Sequence, residues 1–178
     1  MSGLDTTVLL GVGSNIRREE NIARGLTLLD EEFGLLCSSS AYESDALGFD
    51  GPPFINLAIE VAVDISVGDL ARFIRQLEYR LGRPRDATRF SSRTLDIDIL
   101  DYKGASSDID GVELPRGEIL DNAYVLAPLA EMAPERQHPS TGIPYAALWE
   151  AHRDRMQPVR RVTFSQGIWS LPFPAVTA

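Results

Sequence analysis

The chain has 178 residues, of which 44% are hydrophobic and 24% are charged, enough for one globular domain with its own core. Its formal charge of −9 at pH 7 argues against general nucleic-acid binding, because such proteins normally present a basic surface. No segment has the apolar length of a membrane span, the first residues lack a signal-peptide pattern, and Cys37 is the only cysteine, so we expect a cytoplasmic protein without disulfides.

Apolar runs in the first third of the chain predict three strands and one helix. The run TVLLGVG is typical of a buried strand, and the Gly-Ser-Asn around its end marks a turn into a helix whose apolar residues recur at helical spacing up to Phe33. Ser14 or Asn15 is placed to cap that helix. The stretch SDALGFDGPPF is too rich in Gly, Pro and Asp for regular structure. We predict strands at residues 6–12, 36–43 and 55–63.

A second helix and a further strand follow. Ser66 opens the helix, with Asp69 three residues later in a near match to the capping box, and Gly82 ends it. Its apolar stripe at helical spacing consists of Leu70, Phe73, Ile74, Leu77 and Leu81. The rest of the chain predicts a strand at residues 94–102, helices at 122–132 and 145–153, and a weak hairpin formed by 160–165 and 168–171.

The order of these elements predicts the fold. Strand, helix, strand, strand, helix, strand is typical of an antiparallel or mixed sheet with helices on one face, an α+β domain of ferredoxin-like type. We divide the chain into a main domain, residues 1–155, and a C-terminal extension, residues 156–178. Because the extension is rich in apolar side chains, we expect it to pack on the same domain, over a sheet edge or at a subunit contact.

The common phosphate-loop and zinc motifs do not fit the sequence. The single lysine, Lys103, precedes a glycine, whereas a Walker loop needs a lysine that follows one. Gly11 and Gly13 begin a dinucleotide-binding fingerprint, but Ile16 occupies the third glycine position. Cys37 and the two histidines lack the spacing of a zinc site.

Two aspartates in the strand RTLDIDIL are the strongest candidates for chemistry. Asp96 and Asp98 point to one face of the strand, roughly 7 Å apart at Cα, while Leu95, Ile97 and Ile99 point to the other face and fill the core. Two carboxylates at this spacing repel each other unless a cation lies between them, and their hard oxygen atoms suit Mg²⁺. Two such ions would be able to clamp a polyphosphate. The alternative is an edge strand with one solvated face.

An arginine-rich loop lies immediately before this strand. The guanidinium groups of Arg83, Arg85, Arg89 and Arg93 are suited to bidentate contacts with phosphate oxygens. Carboxylate-held Mg²⁺ beside arginines is what phosphoryl or nucleotidyl transfer requires, since this chemistry depends on positioning and charge neutralisation. Because the loop over residues 83–92 offers little to bury, we expect only bound phosphates to hold it in place.

The stretch LGRPRDATRFSSRTLDIDIL resembles the 6-hydroxymethyl-7,8-dihydropterin pyrophosphokinase family of the folate pathway. Further motifs of the family occur in the same order along the chain: GVGSN, AYESDALGF, FINLAIEV, AYVLAPLAEMAPE and HPSTG. The resemblance implies an enzyme that uses ATP and two Mg²⁺ ions to transfer pyrophosphate to the hydroxymethyl group of a reduced pterin, releasing AMP. It implies small-molecule substrates, no nucleic acid and no membrane, and we expect a monomer or weak homodimer.

The resemblance also implies roles for individual residues. Asp96 and Asp98 match the positions that carry the two Mg²⁺ ions, and together with Arg83, Arg85 and Arg93 they form the expected catalytic set. The positions expected at the ATP site are Glu78, Arg83, Arg85, Arg93 and Arg116. The positions expected on the pterin side are Ser44, Leu47, Gly48, Asn56 and Tyr124. A carboxamide and an aromatic face suit a flat heterocycle, although Tyr124 is also typical of a core aromatic and Asn56 of a strand-start cap.

The chain departs from the family pattern at several positions. Ser91 and Ser92 stand where family members usually carry Gly-Pro, and Phe90 stands where a tryptophan is frequent. Arg116 replaces a histidine and Asn122 an arginine, and we expect the changed cation geometry to weaken ATP binding. Two alternatives therefore stay open: a family paralogue with weak or altered transferase activity, and an interaction protein whose aspartates are merely solvated.

Overall fold

The computed structural model describes residues 6–164, which form an antiparallel sheet with helices on both faces. The strands are β1 (Thr6–Ser14), β2 (Leu35–Ser38), β3 (Ala41–Ser44), β4 (Phe54–Val63), β5 (Asp96–Tyr102) and β6 (Arg160–Val162). The helices are α1 (Arg18–Phe33), α2 (Val67–Arg80), α3 (Glu118–Asp121), α4 (Ala123–Met132) and α5 (Tyr145–His152), with a short 3-10 helix at Arg153–Arg155. The strand order is β5-β1-β4-β3-β6, and β2 also pairs with β4.

The alternation of side chains along β1 and β4 produces two cores. Leu10 and Ile59 face α1 and α2 on one side of the sheet, within the larger cluster of buried residues. Leu9 and Ala58, their neighbours in sequence, face α4 and α5 on the other side. The predicted arrangement with helices on one face is therefore wrong, because the apolar helices after residue 118 cover the second face.

Helix α2 begins as the sequence predicts. The Ser66 side chain accepts a hydrogen bond from the backbone N–H of Asp69, and the apolar stripe that includes Leu70, Ile74 and Leu77 is buried against the sheet. The start of α1 differs from the prediction, since neither Ser14 nor Asn15 caps it. The N-cap position is Arg17 in a left-handed conformation, and its side chain makes no capping hydrogen bond within the described part of the chain.

The single strand predicted over residues 36–43 is two strands in the structure. Ser39 exchanges hydrogen bonds with Ala58 on β4, through its backbone N–H as donor to the Ala58 carbonyl and its hydroxyl as acceptor from the Ala58 N–H. The hydroxyl takes the place of a backbone partner, so the chain bends between β2 and β3. The sequence signal for this break is the run of three serines after Cys37.

The first part of the C-terminal extension adds strand β6 to the edge of the sheet, beside β3. Val162 and Phe164 pack against the larger core, and Gln157 accepts a hydrogen bond from the N–H of Ala123 at the start of α4. The predicted strand over residues 168–171 lies outside the described residues. The hairpin and the division at residue 155 therefore stay predictions. Among residues 6–164, no helix is both long and apolar enough to cross a membrane.

Candidate active site

The two aspartates project from β5 into a cavity, opposite two glycines of β1. Asp98 pairs with Gly11 and Asp96 with Gly13, while Ile97 and Ile99 are buried on the other face. The alternation predicted from the sequence therefore holds. A side chain on Gly13 would collide with Asn56 on β4, because its Cβ would lie 2.7 Å from the Asn56 Oδ1 atom. Because Gly13 has no side chain, the carboxamide of Asn56 can lie beside the carboxylate pair.

Each aspartate contacts an arginine that a glutamate anchors. Arg83 Nη1 lies 3.2 Å from Asp96 Oδ1 and also donates to the carboxylate of Glu78. Arg116 Nη2 lies 3.2 Å from Asp98 Oδ1, while its Nε donates to Glu118 Oε2 at 2.6 Å. The charges of Asp98 and Glu118 raise the pKa of Arg116 above its usual value, although burial opposes this shift.

Glu78 lies behind the carboxylate pair, in the buried layer between α2 and β5. Its Oε1 accepts the backbone N–H of Ile97 at 2.8 Å, an amide on the outer edge of the last strand in the sheet. Burial, partly offset by the hydrogen bond from Ile97, raises the pKa of Glu78. The sequence places this residue at the ATP site, which stays a prediction. In the structure its carboxylate holds Arg83, accepts the Ile97 amide and lines a depression on the outer side of β5.

The carboxylate pair suits a hard divalent cation. Burial, followed by the charge of Asp96, raises the pKa of Asp98 to about 7, and Arg116 offsets this shift only in part. A cation with oxygen preference would remove the repulsion that remains, so the donor set fits Mg²⁺. Within residues 6–164, no group of three or more acidic, histidine or cysteine side chains is arranged to hold a metal. Further ligands would therefore have to come from substrate oxygens and water.

A cavity of about 480 Å³ opens on the aspartate face of the sheet, within the size range of small-molecule sites. Asn56 and Tyr124 line it, and the carboxamide of Asn56 donates to Ser44 Oγ at 3.0 Å. No residue between 6 and 164 donates a hydrogen bond to the Asn56 Oδ1 atom, so this oxygen is available to a ligand. Burial, followed by the charges of Glu118 and the two aspartates, raises the pKa of Tyr124 to about 12. The other residues from the predicted set that line this cavity are Ser44, Leu47, Arg83, Arg93, Asp96, Asp98 and Arg116.

A second depression, of about 540 Å³, lies on the outer side of β5. Its apolar surface comes from α2, β5 and the segment before Pro115, and it is lined by Ala71, Ile74, Ile97, Ile99 and Val112. Arg85 lies at this depression and not in the first cavity, with its guanidinium 4.9 Å from the centre of the Tyr79 ring. Both cavities share Arg83, Asp98 and Arg116, so they meet at the charged centre of the site.

The arginine loop is tied down from within, which differs from the expectation that only bound phosphates hold it. The buried guanidinium of Arg93 donates to the carbonyls of Thr88 and Arg89 and to the hydroxyl of Ser91. Its backbone N–H donates to Asn15 Oδ1 at 2.7 Å. Arg93 lies 3.9 Å from Asp96, so it contributes charge to the site while its donors hold the loop.

The structure adds residues that the sequence argument did not find. Glu118 anchors Arg116, and the rings of Phe49 and Phe54 line the first cavity. Gly48 lies outside the lining but beneath the exposed ring of Phe90, where a Cβ would come within 2.8 Å of the ring. A single glutamate in a polar stretch carries no distinctive sequence signal. The two phenylalanines lie within or beside the turn-rich stretch, whose composition indicates a loop but not its contacts.

The site combines a carboxylate pair and anchored arginines between two cavities, an arrangement that suits phosphate transfer. A model of the family described as 7,8-dihydro-6-hydroxymethylpterin-pyrophosphokinase (HPPK) matches residues 9–134. The chain belongs to this family. The 2-amino-4-hydroxy-6-hydroxymethyldihydropteridine pyrophosphokinase of Bacillus subtilis is 30% identical over 142 residues, which cover 78% of this chain and 84% of the relative. The enzyme of the same name from Pseudomonas aeruginosa is 33% identical, over 74% of this chain and 83% of the relative.

Solved structures show the same fold. The wild-type HPPK-DHPS of Plasmodium falciparum superposes with a TM-score of 0.63 at 12% sequence identity, over 90% of this chain. The alignment covers 48% of that longer chain, so this chain spans about half of it. At this identity the similarity concerns the fold alone. The predicted family and the predicted ferredoxin-like α+β fold are confirmed.

The raised pKa of Asp98 predicts a pH-dependent gain in stability when its charge is removed. The folded protein binds this proton more tightly than the unfolded chain, so wild-type stability should fall as pH rises from about 4 to about 7. In metal-free buffer at pH 8, Asp98→Asn should therefore raise the free energy of unfolding by about 1 kcal/mol, a value reduced for solvent screening. Urea unfolding at several pH values measures this gain, which should shrink towards pH 4.

The control for that measurement is Asp108→Asn, which removes an exposed carboxylate. Its effect on the free energy of unfolding should stay within about 0.5 kcal/mol at every pH. The electrostatic description of the site would be contradicted if Asp98→Asn were less stable than the wild type at pH 8. It would also be contradicted if the difference in free energy of unfolding between the two proteins did not change with pH.

Proposed function

We propose that this chain transfers pyrophosphate from ATP to the hydroxymethyl group of 6-hydroxymethyl-7,8-dihydropterin and releases AMP. The observation that carries the proposal is that Arg83, Asp98 and Arg116 line both cavities, one lined by polar and aromatic groups and one formed along a strand edge. Two substrates bound in these cavities would meet at the charged centre. Membership in a pyrophosphokinase family supports the same reaction.

The pterin is proposed to occupy the first cavity. A pterin ring is flat and carries donors and acceptors along its edge, which match the face of Tyr124 and the free Oδ1 of Asn56. Ser44 orients the carboxamide by accepting one of its two N–H groups. Phe49 and Phe54 form an edge-to-face pair whose ring centres are 6.4 Å apart, and together with Leu47 they give the cavity its apolar wall.

The nucleoside of ATP is proposed to occupy the depression along β5. Outward-facing amides alternate along an antiparallel edge strand, and Glu78 already accepts the N–H of Ile97. On this alternation Ile99 is the next residue with an outward-facing amide, and it lines the depression together with Ala71 and Val112. A planar base would be able to hydrogen-bond to the strand edge while its faces contact those side chains. The triphosphate would then extend towards Arg83 and Arg116.

Asp96 and Asp98 are proposed to hold Mg²⁺. When bound, the metal would neutralise phosphate charge and orient the hydroxyl oxygen of the pterin. The chain's own residues bring the reactants together and supply permanent positive charge through Arg83, Arg93 and Arg116. The hydroxyl oxygen bonds to the β-phosphorus, its proton is lost, and the bond from the β-phosphorus to the oxygen that bridges to the α-phosphate breaks, which leaves AMP. A cytoplasmic location and a monomer or weak homodimer also stay proposals.

Removal of either aspartate should abolish turnover without unfolding the protein. We expect Asp96→Ala and Asp98→Ala each to lower the rate of AMP release by about 1,000-fold or more, a loss of about 4 kcal/mol of transition-state stabilisation. The assay follows AMP release with and without hydroxymethyl-dihydropterin, and thermal unfolding reports on the fold. Glu150→Ala, an exposed carboxylate on α5, is the control and should keep full activity. Mg²⁺-dependent turnover in either aspartate variant would rule out the metal assignment.

Tyr124 should bind the pterin through its ring and not through its hydroxyl. Tyr124→Ala should weaken pterin binding by about 1–3 kcal/mol, the usual contribution of a base stacked on an aromatic ring, while Tyr124→Phe should bind nearly as well as the wild type. Equilibrium binding of the pterin, followed by fluorescence, measures both variants. Equal losses in the two variants would show that the hydroxyl is the contact and that the stacking assignment is wrong.

A further inference from the structure

Arg116 bridges two carboxylates that belong to different elements. Its Nη2 lies 3.2 Å from Asp98 on β5, and its Nε lies 2.6 Å from Glu118 at the start of α3. Its backbone N–H donates to the carbonyl of Leu100 at 2.9 Å, which fixes the residue against β5. The backbone hydrogen bond fixes the position of Arg116, and the two carboxylates hold its guanidinium at the charged centre.

The position of Arg116 places it in competition with a metal ion. Its guanidinium carries a permanent positive charge and contacts the same carboxylate that is proposed to hold Mg²⁺. A divalent ion bound to Asp98 at coordination distance would be repelled by a cation this close, so Asp98 cannot satisfy both fully. The contact with Glu118 is shorter and does not involve a proposed metal ligand. Arg116 can therefore leave Asp98 while it stays attached to Glu118.

We propose that Arg116 is a built-in counter-ion of Asp98, which a divalent ion displaces and which then binds an oxygen of the ATP triphosphate. Glu118 acts as the positioning residue that keeps the guanidinium at the site after Asp98 releases it. This inference rests on the proposed function, because it concerns the same metal and nucleotide. It gives the nucleotide-free protein a partly neutralised carboxylate and a weak metal site, and it makes tight metal binding depend on a phosphate that accepts the displaced arginine.

The inference predicts that loss of Arg116 has opposite effects on metal and nucleotide. Without the competing cation, Arg116→Gln should bind Mn²⁺ about tenfold more tightly in the absence of nucleotide. Without the phosphate contact, the same protein should bind a non-hydrolysable ATP analogue in Mg²⁺ about tenfold more weakly. Electron paramagnetic resonance of free Mn²⁺ measures the affinity for Mn²⁺, and calorimetry measures the affinity for the ATP analogue. A merely structural role for Arg116 would weaken both.

Three further variants make the test specific. Arg153→Gln removes the same charge from an exposed residue that pairs with Glu150, and it should change neither affinity. Arg116→Lys keeps the charge but loses the planar fork, so Mn²⁺ binding should stay as weak as in the wild type. Glu118→Gln keeps Arg116 but loosens its anchor, so it should weaken binding of the ATP analogue without tightening Mn²⁺ binding.

The outcomes separate this inference from the proposed function. If Arg116→Gln binds Mn²⁺ no more tightly than the wild type, while both proteins still bind Mn²⁺ and the ATP analogue, the counter-ion proposal is wrong and the proposed function stands. Tighter Mn²⁺ binding in Arg116→Gln with unchanged binding of the ATP analogue would overturn the second half of the proposal. If none of the proteins binds Mn²⁺, with or without the ATP analogue, both the inference and the metal assignment fail.

Discussion

The repulsion between two carboxylates on one face of an edge strand is the constraint on which the site depends. Asp96 and Asp98 cannot both be ionised beside a cavity without nearby positive charge, and each has an arginine in contact. A glutamate holds each arginine in turn, Glu78 on one side and Glu118 on the other. The result is a chain of charges that crosses β5, with the carboxylates of Asp96 and Asp98 as like-charged neighbours at its middle. A divalent ion between the two carboxylates would supply the positive charge that is missing there, and the arginines on either side complement the negative charge of a triphosphate.

The fold places this chain of charges at the boundary between two cavities. Because β5 is the last strand of the sheet, one of its edges pairs with β1 while the other is open to α2 and the segment before Pro115. The same strand therefore presents a side-chain face to one cavity and a backbone edge to the other. In a central strand the second backbone edge would be hydrogen-bonded to a neighbouring strand. From the sequence, an edge strand was the alternative to a functional role. In the structure, the edge position of β5 is what allows one strand to border two cavities.

Local rules predicted much of the site, but they did not predict which polar groups the buried charged side chains contact. The period of two along β5 placed Asp96 and Asp98 on one face, and the family motifs indicated Asn56 and Tyr124 at the first cavity. The sequence did not reveal that Arg93 would hold the carbonyls of its own loop, or that Glu78 would pair with a strand amide. Those partners are decided by tertiary packing, since a buried charge takes whichever polar group the fold brings to it.

A divalent ion is proposed to bind at the carboxylate pair together with the nucleotide. The most direct measurement adds Mn²⁺ and a non-hydrolysable ATP analogue to nitrogen-15-labelled protein and follows the amide signals by nuclear magnetic resonance. The amides of Gly11 and Gly13, which pair with Asp98 and Asp96, should broaden first because the paramagnetic ion lies across the strand from them. Sharp signals at both glycines, with broadening instead beside exposed carboxylates such as Asp108 and Asp110, would contradict the account.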